Sequence, residues 1–129
     1  NFANAKTSLS AKEKEVVNLA VSQVNDCIYC LSAHTAIGKM NGFNDEQILE
    51  LRAGKASFDA KLNALAQLAK NVTENRGRTD EKVLESYFAA GYTKANLIDT
   101  ISLVGDKTIS NYIHSTTQVT VDFPVAPSL

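Results

Sequence analysis

Apolar residues recur every three or four positions along most of this chain, and no stretch of useful length alternates apolar with polar residues. A period near 3.6 gathers apolar side chains on one helix face, whereas a half-buried strand needs a period of two. The chain is therefore predicted to be all-α. A length of 129 residues supports one hydrophobic core but hardly two independent ones. No Gly-, Pro- or Ser-rich linker interrupts the pattern, so residues 1–129 read as a single domain of about six helices.

The helix boundaries follow from capping chemistry. Ser10-Ala11-Lys12-Glu13 is a capping box, in which the Ser side chain and the Glu three residues on satisfy each other's backbone donors. The helix it opens carries Val16, Val17, Ala20, Val21 and Val24 on one face. Asn25-Asp26 breaks it, and both residue types are good N-caps. With Asp26 as cap, the next helix runs from Cys27 to about Met40 and stops at Asn41-Gly42. A short helix follows from Asp45, capped by Asn44, and Gly54 ends it. Others are predicted from about Phe58 to Asn75, from about Asp80 to Ala90, and from Thr93 through Ile113. The last is apolar around much of its circumference, which places it either at the centre of the fold or in an interface between copies of the chain. The tail "DFPVAPSL", with both prolines, is expected to be extended and to wrap a neighbour.

Several function classes are disfavoured by composition. Net charge is −1, with Lys and Arg scattered among Asp and Glu, so there is no electrostatic footprint for nucleic acid or an acidic membrane. No apolar run approaches the roughly 20 residues that a membrane span needs. "NFANAKTSLS" lacks the basic and apolar regions of a signal peptide. Two cysteines in a chain of this size do not make a disulfide scaffold, and the expected compartment is the cytoplasm. Asn71-Val72-Thr73 fits the glycosylation pattern but carries no weight without a secretion signal.

The chemistry concentrates in "NDCIYCLSAH", residues 25–34, which holds both cysteines and one of the two histidines. Cys27 and Cys30, three apart at a helix start, can approach closely enough for a disulfide. Free amide donors at that helix end favour thiolate, and CxxC motifs there lower a thiol pKa from about 8.5 to roughly 3.5–7.5. His34 lies four residues after Cys30 on the same face, the nucleophile–base spacing of an activated cysteine. A base needs an orienter, and the preceding helix offers Glu13 and Glu15. Two other readings compete: inert cysteines at a helix start, or zinc ligands. Zinc would want a fourth donor, and only His114 is left to supply it. His114 itself reads as a packed or interface residue.

The pattern Glu15, eleven residues, Cys27-Ile28-Tyr29-Cys30, three residues, His34 resembles the active-site signature of the alkyl hydroperoxidase D-like (AhpD-like) group. That group belongs to the carboxymuconolactone decarboxylase superfamily, and the resemblance is specific over about residues 9–54. It selects Glu15 over Glu13, and it implies an all-α fold that assembles as a homo-oligomer (dimer, trimer or hexamer). It further implies reduction of a hydroperoxide substrate through the dithiol, with no cofactor. In the roles it implies, Cys30 is oxidised to sulfenic acid and Cys27 resolves it to a disulfide. His34 and Glu15 form the proton relay. An external dithiol, lipoyl-type or thioredoxin-like, would regenerate the enzyme. Some members carry a second histidine inside the CxxC, where this chain has Tyr29. A tyrosine, with a pKa of about 10, is a donor rather than a base near neutral pH. Carboxymuconolactone decarboxylases proper do not use this cysteine pair, which argues against lactone decarboxylation. The runner-up readings are a general thiol–disulfide oxidoreductase and a non-enzymatic redox-sensing or metal-binding module.

Overall fold

A computed structural model describes residues 7–129. The leader reading drew on residues 1–10, of which 1–6 lie outside the described residues. Six helices follow in order: α1 (Ala11–Val24), α2 (Ile28–Met40), α3 (Asp45–Arg52), α4 (Ala60–Glu74), α5 (Glu81–Ala89) and α6 (Lys94–Thr117). Among the described residues there is no strand. The caps act as the sequence implies: Ser10 with Glu13, Asn44 with Gln47 and Thr93 with Asn96 each form a reciprocal box. At the end of α2 the chain reverses through Gly42, whose φ of +99° favours glycine.

The central helix is α1. It packs against α2, α3, α4 and α6, and Val16, Val17, Leu19, Ala20 and Val21 are wholly enclosed. Around it, Leu65, Leu68 and Ala69 of α4 and Leu51 of α3 complete a continuous core. Helix α6 is thus not the centre of the bundle. Its Leu103 and Val104 face inward, while Ile98, Ile109, Tyr112 and Ile113 are each more than half exposed. The sequence pattern does not mark α1 as the centre, because α1 buries polar groups as well: Glu15, Asn18 and Ser22, spaced three and four apart, are all inaccessible. These break its apolar stripe in the sequence but face α2 and α6 in the fold.

A buried hydroxyl pair links α5 to α6. Thr100 donates to the Asn96 carbonyl at 2.8 Å, so Tyr87, 3.1 Å away, donates its own proton to Thr100. Tyr87 is fully enclosed, and burial pushes its phenol above the ordinary tyrosine range. Tyr87→Phe is expected to cost about 1 kcal/mol, the net value of one neutral hydrogen bond. That would appear as a shift of about 4 °C in thermal unfolding.

The tail beyond α6 is extended, but it lies along α2 of its own chain. The Ala126 amide donates to Ser32 Oγ at 3.0 Å, and Ser32 passes its proton to the Ile28 carbonyl at 2.8 Å. Phe123 meets the Tyr29 ring edge-on at 5.8 Å. An acceptor and an aromatic ring on α2 hold the segment expected to wrap a neighbour.

Candidate active site

The turn between α1 and α2 sets the geometry of the dithiol, and it differs by one residue from the sequence reading. Cys27 rather than Asp26 is the N-cap, with Cys27 Sγ accepting from the Cys30 amide at 3.3 Å. Asp26 sits in the left-handed region at φ +52°, which aspartate tolerates better than most residues. The physical reason is the return of the chain onto α1: the Asp26 and Cys27 amides donate to the Gln23 and Ser22 carbonyls. That closure leaves Cys27 to begin the helix. Cys27 and Cys30 are joined as a disulfide, with Cα atoms 5.3 Å apart. Both are buried, at 1% and 3% exposure.

Glu15 and His34, the expected orienter and base, meet in the core between α1 and α2. His34 Nδ1 lies 2.6 Å from Glu15 Oε1. Glu15 Oε2 accepts from Asn18 Nδ2 at 2.8 Å, so both carboxylate oxygens are engaged. With Nδ1 donating to the carboxylate, the other ring nitrogen carries the free lone pair. No hydrogen bond joins His34 to either sulfur among the described residues. Lys107 of α6 lies near enough to sense the Glu15 charge. Burial holds its ammonium below the ordinary lysine range, with Glu15 and Asp106 pulling it part of the way back.

The side chain that reaches the sulfur is His114, which the sequence pattern presents as a packing residue. Its Nδ1 lies 3.6 Å from Cys30 Sγ and 2.7 Å from the Ser110 carbonyl. Its ring stacks on Tyr29, with centroids 4.5 Å apart and planes 16° from parallel. The register of α6 is fixed one turn earlier by Asn111, fully enclosed, which donates to Ser22 and accepts from Asn25. Eighty-four residues separate His114 from Cys30, so spacing alone could not join them. The available signal was a pair of polar residues, Asn111 and His114, three apart in the helix that also carries the inward-facing Leu103 and Val104.

A cavity of about 340 Å³ opens beside Cys27, lined by Asp26, Cys27, Ile28, Tyr29, His114 and Val119 among others. The sulfurs of Cys27 and Cys30 and a His114 nitrogen lie within 4.8 Å of one another. That trio could ligate a metal only after the disulfide is reduced. No helix among the described residues is long and apolar enough to cross a membrane.

Residues 1–71 match the profile of the carboxymuconolactone decarboxylase family. No curated protein matches the chain. Among solved structures, an uncharacterized peroxidase-related protein from Silicibacter sp. TM1040 superposes with a TM-score of 0.81 at 23% identity, covering 92% of this chain. A protein of unknown function from Agrobacterium tumefaciens, suggested to be the antioxidant defence protein AhpD, gives 0.79 at 16% identity. It covers 92% of this chain and 82% of its own length. The debrominase Bmp8, in complex with 2,3,4-tribromopyrrole, gives 0.79 at 12% identity over 93% of this chain. This chain spans 63% of the length of the first and 65% of the debrominase. At these identities the likeness establishes a shared fold.

Proposed function

The chain belongs to the carboxymuconolactone decarboxylase family, as an AhpD-like member, and from that premise we propose that it is a thiol-dependent hydroperoxide reductase. The observation that carries the reading is the Cys27–Cys30 pair, already close enough to cycle between dithiol and disulfide, with Cys27 lining a cavity. Cys30 thiolate attacks the hydroperoxide: an S–O bond forms, the O–O bond breaks, and the alkoxide leaves as alcohol after taking a proton. Cys27 thiolate then attacks the Cys30 sulfenic acid, closing the disulfide and releasing water. Two electrons return from an external dithiol, which departs as its own disulfide. In this scheme His34, oriented by Glu15, takes the Cys30 proton and returns it to the leaving oxygen.

The depth of the sulfurs supports a slender reductant. With Cys27 and Cys30 at 1% and 3% exposure, a lipoyl-type arm entering the cavity fits better than the flat face of a thioredoxin-like protein. The same depth disfavours the runner-up, a thiol–disulfide oxidoreductase acting on protein disulfides. Exposed Ile98, Ile109, Tyr112 and Ile113 on α6 suit assembly with other copies of the chain. We place the protein in the cytoplasm, where the dithiol would be kept reducible.

The test is stoichiometric. The reduced protein, given one equivalent of cumene hydroperoxide, is expected to lose two hydrogens as the Cys27–Cys30 disulfide and to yield one equivalent of alcohol. Peptide mass mapping and product analysis read both. Thiols that stay reduced in excess hydroperoxide would sink the reading. Faster oxidation by a protein disulfide would favour the runner-up, and 2,3,4-tribromopyrrole serves as the control for debromination.

A further inference from the structure

No hydrogen bond joins His34 to Cys30 among the described residues, while a different imidazole already touches the Cys30 sulfur. We propose that His114 is a second catalytic histidine of this dithiol, whose single Nδ1–H is shared between the Ser110 carbonyl and the Cys30 thiolate once the disulfide is reduced. The inference rests on the peroxidase reading and deepens it.

The protonation of Nδ1 follows from its neighbour. A carbonyl oxygen only accepts, so the 2.7 Å contact with Ser110 places the hydrogen on Nδ1. The same nitrogen is 3.6 Å from Cys30 Sγ, a distance at which a disulfide sulfur gains little and a thiolate gains a charge-assisted bond. Reduction therefore creates an anion that competes with the Ser110 carbonyl for that hydrogen. The ring cannot easily turn away. Tyr29 stacks on one face of it, Phe123 braces Tyr29 edge-on, and Asn111 locks α6 to α1 one turn earlier. Tyr29 thus serves as a platform for an imidazole delivered from α6.

The metal reading of the same three residues is weaker. With Nδ1 protonated only Nε2 could ligate, and the group found among the described residues offers three donors where zinc takes four. The titratable groups around the pair are Asp26 and Tyr29, which line the cavity, the Glu15–His34 pair of α1 and α2, and Lys107 of α6.

The test compares three chains, all reduced and with the helical content checked by circular dichroism. His114→Phe keeps a ring against Tyr29 and removes the donor. His114→Asn keeps an N–H near the Nδ1 position. The readout is the rate of Cys30 alkylation by iodoacetamide as a function of pH, resolved from Cys27 by peptide mapping. His114→Phe is expected to move the Cys30 midpoint upward and slow alkylation at neutral pH about tenfold, the loss of one hydrogen bond to a charged group. His114→Asn is expected to recover most of that. Should the Phe variant not fold, His114→Ala, which only shrinks a half-buried side chain, provides the same comparison. A wild-type profile in the Phe variant overturns the proposal, as does an Asn variant no better than Phe. Protection of both thiols by one equivalent of zinc would overturn it in favour of a metal site. Because alkylation requires no hydroperoxide, a His114-dependent thiol in a protein inert to peroxide would sink only the peroxidase reading.

Discussion

Replacing Cys30 by serine is expected to reduce hydroperoxide consumption to the uncatalysed rate while leaving helical content unchanged. The hydroxyl is nearly the size of the thiol, so a position at 3% exposure loses little packing. What it loses is the nucleophile, since a serine hydroxyl does not ionise near neutral pH as an activated thiol does. Cys27→Ser separates the two roles. It is expected to consume one equivalent of hydroperoxide and stop, with sulfenic acid trapped on Cys30 by dimedone. The reverse pattern, with Cys27→Ser inert and Cys30→Ser giving the single turnover, would assign the attack to Cys27. Geometry keeps that outcome open to experiment, because each sulfur has its own donor. The Cys30 amide serves Cys27 at 3.3 Å and the His114 ring lies at 3.6 Å from Cys30.

Helix existence was legible because the capping chemistry is local. Ser10 and Glu13, or Thr93 and Asn96, sit three residues apart, so a reader of the sequence sees the whole interaction. Their observed bonds fall between 2.8 and 3.1 Å. The turn before Cys27 was legible as a break but not in its register. Asp26 can cap or adopt a left-handed conformation, and the choice is made by the Ser22 and Gln23 carbonyls of α1. Long-range identity was the harder problem. Helix α1 hides its central position by burying Glu15, Asn18 and Ser22, and α6 imitates a core helix while exposing Ile98, Ile109 and Ile113. The site divides in the same way. Cys27, Cys30 and His34 share one turn-and-helix segment, Glu15 needed the family resemblance, and His114 needed the fold. Tyr29 gave no hint of its partner, because stacking depends on how α6 crosses α2.

Glu15→Gln is expected to lower kcat/KM for hydroperoxide about a hundredfold, the lower end of what a positioned acid–base group contributes. The substitution isolates the charge. The amide oxygen of the variant still accepts from His34 Nδ1, so the ring stays oriented. The new amide hydrogens would face Asn18 Nδ2, also a donor, but Asn18 Oδ1 is buried without a partner. A flip of the Asn18 amide turns that oxygen toward the new side chain and satisfies both groups. Stability should therefore change little in Glu15→Gln, whereas Glu15→Ala strands His34 and Asn18 in the core and is expected to cost about 3 kcal/mol. Urea unfolding of both variants beside steady-state rates across pH separates the two effects. If the anion is what lets His34 hold the Cys30 proton, Glu15→Gln flattens the pH dependence of kcat/KM and Glu15→Ala adds instability on top. Wild-type kcat/KM at every pH in Glu15→Gln would reduce Glu15 to a buried structural acceptor. Stabilisation of the Cys30 thiolate would then rest on His114, whose Nδ1 lies 3.6 Å from its sulfur.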